Sequence, residues 1–136
     1  FIMMKFIMIK FRMIKFIIDR DMDNEYIITI KANGSTLGMQ IEPTDTFEVR
    51  LYRKCSDELV ATVGMTEDAN GVIDVYQAAG GKIRILLKQA LVNNLVASKG
   101  DKVDGCYPKS EYRISVICDT ANNGKFTAKL ANVYVE

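Results

Sequence analysis

Three aspartates at alternate positions, Asp19, Asp21 and Asp23 in the stretch DRDMDNE, are the nearest this chain comes to a metal site. They match the first, third and fifth positions of a calcium loop, where carboxylate oxygens converge on a hard cation. The match then stops. The sixth position, where a sharp turn needs Gly, is Asn24, and the twelfth, where a bidentate Glu belongs, is Ile30. The stretch reads as a solvated acidic junction, and no metal is expected.

Other reactive groups are equally sparse. The chain contains no His, which removes the usual general base and the commonest metal ligand, and with them serine triads, Cys-His dyads and His-containing zinc sites. Cys55, Cys106 and Cys118 are odd in number and form no Cys-x-x-Cys, so they read as small apolar fillers in a reducing compartment, with one pair left open. Glu67, Asp68 and Asp74 have no spacing that makes two of them an acid and its base. No Gly-rich loop opens a helix, so no phosphate cofactor is expected. Tyr52, Tyr76, Tyr107, Tyr112 and Tyr134 offer the one binding chemistry of another class, stacking on sugar rings, although aromatic residues are also ordinary strand packing. The expectation is a protein that is not an enzyme, with no catalytic, cofactor or metal residues and no small-molecule substrate.

The elements that hold these residues are mostly strands. From Glu25 onward the apolar residues recur with a period of two, which marks strands with one face in a core. In EYRISVICD, Tyr112, Ile114, Val116 and Cys118 face one way and Arg113, Ser115 and Asp119 the other. In TFEVRLYRK, Phe47, Val49 and Leu51 point inward while Glu48, Arg50 and Tyr52 point outward, and KIRILLK alternates in the same way. Further strands are expected at 26–31, 58–63, 71–76 and 125–136. Asn33-Gly34, Asn70-Gly71, Gly80-Gly81 and Asn123-Gly124 supply turns between them. In the last run Phe126, Ala128 and Leu130 share a parity that Val133 and Val135 do not, which predicts a bulge near Asn132. Leu87, Leu91 and Leu95 at spacings of four predict a short crossover helix over 88–98. Seven to eight short strands with one short helix predict an immunoglobulin-like β-sandwich, with an OB-like or jelly-roll barrel as the competing closure.

The net charge of +1, from 18 basic and 17 acidic residues, gives no field that would gather nucleic acid or an anionic membrane, so neither is expected as a partner. The first twenty residues, FIMMK FIMIK FRMIK FIIDR, repeat every five, with Phe at 1, 6, 11 and 16. A step of five reverses the face in a strand and turns the side chain by roughly 140° in a helix, so neither element gains one apolar face. Lys5, Lys10, Arg12 and Lys15 interrupt each apolar run before it reaches the length of a membrane span. Two readings follow: an N-terminal arm over 1–24 that buries Phe1, Phe6, Phe11 and Phe16 against a neighbouring subunit, or a duplicated stretch upstream of a start at Met13. The arm is preferred, with the sandwich domain over 25–136. On that reading, deleting residues 1–18 leaves a folded monomer that no longer assembles.

From Tyr26 onward, ITIKANGSTLGMQIEPTDTFEVRLYR, GKIRILLKQALVNNL and SEYRISVICDTANNGKFTAKLANVYVE occur in an order that resembles the N-terminal β-sandwich domain of phage baseplate upper proteins and related tail or head-fibre attachment modules. Asp45-Thr46-Phe47, Gly81-Lys82-Ile83 and Tyr112-Arg113-Ile114 carry the resemblance, with Thr44 standing where the family usually has Gly. The resemblance implies a virion location, other virion structural proteins as partners, homo-oligomeric assembly and no catalytic residues. With the chain ending at Glu136, just past the sandwich, it implies a small adaptor or decoration subunit. A carbohydrate-binding or adhesin module using the tyrosines is the alternative.

Overall fold

In the computed structural model, residues 3–6, 15–31, 37–53, 56–95 and 112–135 are described. Among them, nine strands and one short helix follow in the order β1 (Met3–Phe6), β2 (Lys15–Ile18), β3 (Asn24–Thr29), β4 (Thr46–Arg53), β5 (Leu59–Val63), β6 (Gly71–Gln77), β7 (Lys82–Leu87), α1 (Gln89–Val92), β8 (Tyr112–Thr120) and β9 (Gly124–Val135). They form a four-stranded sheet in the order β1-β3-β7-β6 and a five-stranded sheet in the order β2-β9-β8-β4-β5.

This is the immunoglobulin-like arrangement. Lettered in the usual way, β3, β7 and β6 are strands B, E and D of one sheet, and β4, β8 and β9 are C, F and G of the other. β5 extends the second sheet at the C edge, and β2 lies parallel to β9 at its opposite edge. β1 lies parallel to β3.

Alternation builds the core between the sheets. Buried and half-buried residues alternate without a break along β3 and along β7. Tyr26, Ile28, Ile73, Ile83, Ile85 and Leu87 from one sheet meet Phe47, Val49, Leu51, Ile114, Val116 and Val133 from the other, all buried. The hallmark B-to-F disulfide of antibody domains has no counterpart: β3, NEYIIT, contains no Cys to face the buried free Cys118 of β8. Burial pushes the Cys118 thiol up to about 12. Cys55 and Cys106 lie outside the described residues, as does the turn expected at Asn33-Gly34.

The N-terminal stretch departs from expectation. Residues 15–18 form β2, paired with Asn132–Val135 of β9, and Phe16 and Ile18 are fully buried in the protein's own core. Phe16 is therefore a core residue here and not an arm residue awaiting a partner. The boundary expected at residue 24 also falls inside the fold, since β3 begins at Asn24. The reason is local: FII adds two inward-facing side chains at the sheet edge, and the five-residue repeat hides this period-two run. Phe6 ends β1, in register with Ile27, while Phe1 and Phe11 lie outside the described residues.

Tyr26 locks β2 in place. Its ring meets Phe16 edge-on, with centroids 5.0 Å apart, and its hydroxyl donates to the Ile17 carbonyl at 2.6 Å. The bond therefore links the two sheets.

Three smaller differences concern the β9 bulge, α1 and the Gly80-Gly81 turn. The bulge in β9 lies at Ala128, since Val116 pairs with Lys129 and Ile117 with Thr127, four residues before Asn132. α1 is only four residues long, although Leu91, Val92 and Leu95 are buried as the apolar stripe requires. The Gly80-Gly81 turn is tighter than a hairpin alone needs. Gly81 has φ +71, and a Cβ there would meet the Met39 carbonyl oxygen at 2.6 Å, so the loop before β4 packs directly on its backbone.

Deleting residues 1–18 is expected to unfold or strongly destabilise the domain, because the core loses Phe16 and Ile18; Phe16→Ala alone costs about 3–5 kcal/mol in urea unfolding. Tyr26→Phe is expected to cost about 1–2 kcal/mol. Burial raises the Tyr26 phenol above its ordinary 10.0, so the folded state favours the neutral form. Its contribution is intact below pH 10 and is lost as pH rises above that value, when the unfolded chain ionises first. Denaturation at about pH 8 and about pH 11 should show a smaller alkaline loss in Tyr26→Phe than in the parent.

Candidate functional site

Most polar side chains singled out by their spacing are used to hold the chain together. Asp19 accepts from the Asp21 amide at 2.9 Å, and Asp23 accepts from the Gln89 amide, the first residue of α1, at 2.8 Å. The buried Asn24 accepts from the Asp19 amide and donates to the Asp19 and Met22 carbonyls. The acidic junction is thus a hydrogen-bonded turn. Glu67 pairs with Lys88 at 2.6 Å, Asp68 accepts from the Asn70 and Gly71 amides, and Asp74 forms a two-pronged pair with Arg84. These three carboxylates serve three separate purposes. No group of three or more potential metal ligands occurs among the described residues.

Asp45, one of the residues carrying the resemblance, is a structural clamp. It is buried, and its two carboxylate oxygens accept from the Glu42 and Ala121 amides, both at 2.9 Å. The loop before β4 is thereby tied to the β8–β9 turn. The sequence displayed the Asp-Thr-Phe triplet but not the amide 76 residues away that gives the Asp its partner.

The tyrosines do not form one face. Tyr112 is in the core, Tyr76 is the bulged residue of β6 at the edge of the four-stranded sheet, and Tyr107 lies outside the described residues. Among the described residues, Tyr52 and Tyr134 are the tyrosines that reach the outer face of the five-stranded sheet, on β4 and β9 with β8 between them.

That outer face carries the most organised group of partly exposed side chains. β4 presents Glu48, Arg50 and Tyr52, and β8 presents Arg113 in register with Tyr52. The Arg113 guanidinium lies over the Tyr52 ring, 4.4 Å from its centroid, where the ring's negative face attracts the cation. Asp57 holds Arg113 from the other side, with its Oδ1 accepting from Nη2 at 2.7 Å and Nε at 3.2 Å. Arg50 ion-pairs with Glu48 at 3.0 Å, and the neighbouring Tyr52 and Glu48 raise its pKa. Two groups thus stand side by side on this face, the Glu48–Arg50 pair and the Tyr52–Arg113–Asp57 cluster. Leu59, half exposed, stands beside it in register with Tyr52.

Asp57 has a second distinction. Among the described residues it is the one non-glycine with positive φ, at 57°, a conformation that Asp tolerates better than most side chains and that concentrates at functional positions. Its amide donates to the Arg53 carbonyl at 2.9 Å, which fixes the turn so that the carboxylate reaches Arg113. Tyrosine and arginine held in fixed rotamers on an open face are the residue types that dominate binding hot spots. At the far end of the same face, Thr46, Glu48, Gly64, Ile117, Asp119 and Lys125 surround a shallow cleft of about 280 Å³ floored by Phe47.

Asp45→Ala is expected to lower stability by about 2–4 kcal/mol by leaving two amides without acceptors. By contrast, Asp57→Gly should change stability by less than about 1 kcal/mol, since relief of the positive φ offsets loss of an exposed ion pair. Chemical denaturation of the two variants distinguishes the clamp from the surface pair.

No protein-family model and no curated protein matches the chain. Among solved structures it is similar to the crystal structure of the ZIG-8–RIG-5 IG1–IG1 heterodimer, monoclinic form, with a TM-score of 0.39 and 9% identity over 90% of this chain and 81% of that one.

Proposed function

We propose that this protein is a non-enzymatic structural subunit of a bacteriophage virion, an adaptor or decoration module that works by binding other virion proteins and copies of itself. The observation that carries the binding role is the Tyr52–Arg113–Asp57 cluster, with the Glu48–Arg50 pair beside it, on the outer face of the five-stranded sheet. Its parts are ordered before any partner arrives, which lowers the entropy lost on association. The virion assignment is supported by the order of Asp45-Thr46-Phe47, Gly81-Lys82-Ile83 and Tyr112-Arg113-Ile114 along the chain. Each triplet stands at or just before the start of a strand: β4, β7 and β8.

The mechanism is assembly. Apolar area on Tyr52 and Leu59 is removed from water at about 25 cal/mol per Å², while the fixed charges set the register. Repetition around a symmetric particle multiplies contacts that are individually weak.

Tyr52→Ala and Arg113→Ala are expected to fold normally and to be depleted about ten-fold or more from purified particles, since truncating an anchor of this type removes about 2 kcal/mol of binding. Quantitative mass spectrometry of particles against infected-cell lysate measures the ratio. Incorporation of both variants at the parental level would remove this face from the assembly pathway.

A further inference from the structure

The register of the five-stranded sheet fixes which outward-facing residues share a row across it; the end rows are exposed or half-buried, and Ser115 in an inner row is buried. One end row holds Asn132, Arg113 and Tyr52, and the opposite end row holds Lys125, Asp119 and Thr46. Between them lie the Arg50–Ser115 row and the Glu48–Ile117 row. A two-fold axis lying in the face and running across the strands, between these two inner rows, exchanges each row with its counterpart on a second copy. Arg113 then meets Asp119 of the other chain, Arg50 meets Glu48, and Asn132 meets Lys125. The symmetry makes each of these contacts twice.

The fit is one of sign and of shape. Every charged residue brought opposite another charge meets the opposite sign, whereas like charges placed face to face would oppose association. Asp119 forms no ion pair within the single chain among the described residues, so a partner cation completes it. The exposed Leu59 stands at the Tyr52 end, and the cleft beside Gly64 lies at the end that the axis brings against it. A Cβ at Gly64 would meet nothing within 4 Å, so that side of the cleft is open to an incoming side chain.

We propose that the outer face of the five-stranded sheet pairs with the same face of a second copy about this two-fold, with Arg113 and Asp119 as the reciprocal contact. The proposal rests on the assembly reading above and names its first partner. The complex is closed, so it forms a dimer and not a filament.

Sedimentation velocity on the full chain tests it. The parent is expected to show a concentration-dependent species at twice the 15.3 kDa chain mass. Asp119→Arg, at an exposed position, places two guanidinium groups face to face at each of the two reciprocal contacts and should weaken dimerisation about ten-fold or more. Arg113→Asp does the same with two acidic pairs. An equimolar mixture of the two variants restores attraction at both contacts, Arg113 to Asp119 at one and the introduced arginine to the introduced aspartate at the other, and should give a dimer that neither variant forms alone. Far-UV circular dichroism verifies that each variant is folded. A parent that stays monomeric up to its solubility limit overturns the pairing, as does a dimer indifferent to Asp119→Arg or a mixture that stays monomeric. A monomeric parent that still enters particles at normal occupancy would overturn the two-fold while leaving the virion reading intact. A dimer absent from particles would do the reverse.

Discussion

The hydrogen bond from the Tyr26 hydroxyl to the Ile17 carbonyl crosses the dry space between two sheets, where an unpaired hydroxyl would cost several times what the bond returns in water. With the core Cys118 free, side-chain packing keeps the two sheets in register, and here one polar contact adds direction to that packing. It selects where β2 must lie. β2 in turn covers the edge of β9, β9 supports β8, and the outer face of β8 positions Arg113. The placement of Arg113 on the outer face therefore depends on a bond on the opposite side of the sheet.

Much of the fold was legible because alternation is a strong signal over five to nine residues. The inward and outward sets of β4 and β7 could be read residue by residue, as could those of β8 except that Ser115, expected outward, is buried, and the turns at Gly71, Gly81 and Gly124 fall where backbone with positive φ is needed. β2 was obscured for a physical reason. In FRMIKFIIDR, Lys15 and Asp19 bracket a run too short to display its own period, and the five-residue repetition draws attention to Phe16 as one of a series when its neighbour Ile18 is the better clue. The position of the β9 bulge was hidden because parity reveals that a phase change has occurred but not which residue is looped out.

The surface cluster was legible in part. That Tyr52 and Arg113 would face outward followed from alternation, but their adjacency required the β4–β8 register, which single-strand patterns do not contain. Asp57 gave no signal, because its role arises from a turn conformation and from a partner 56 residues away. Asp45 is similar. Residues that act through long-range pairing to backbone amides look in sequence like ordinary turn formers.

The looped-out Ala128 has an implication for how this chain can vary. Removing that one residue would leave Thr127 opposite Ile117 and Lys129 opposite Val116, turning an irregular ladder into a regular one without moving any other pair. Loss of a codon anywhere between Thr127 and Val133 would likewise absorb the bulge and leave Phe126 and Val133 facing inward. Length changes among descendants of this gene should accordingly collect within this short span of its longest strand.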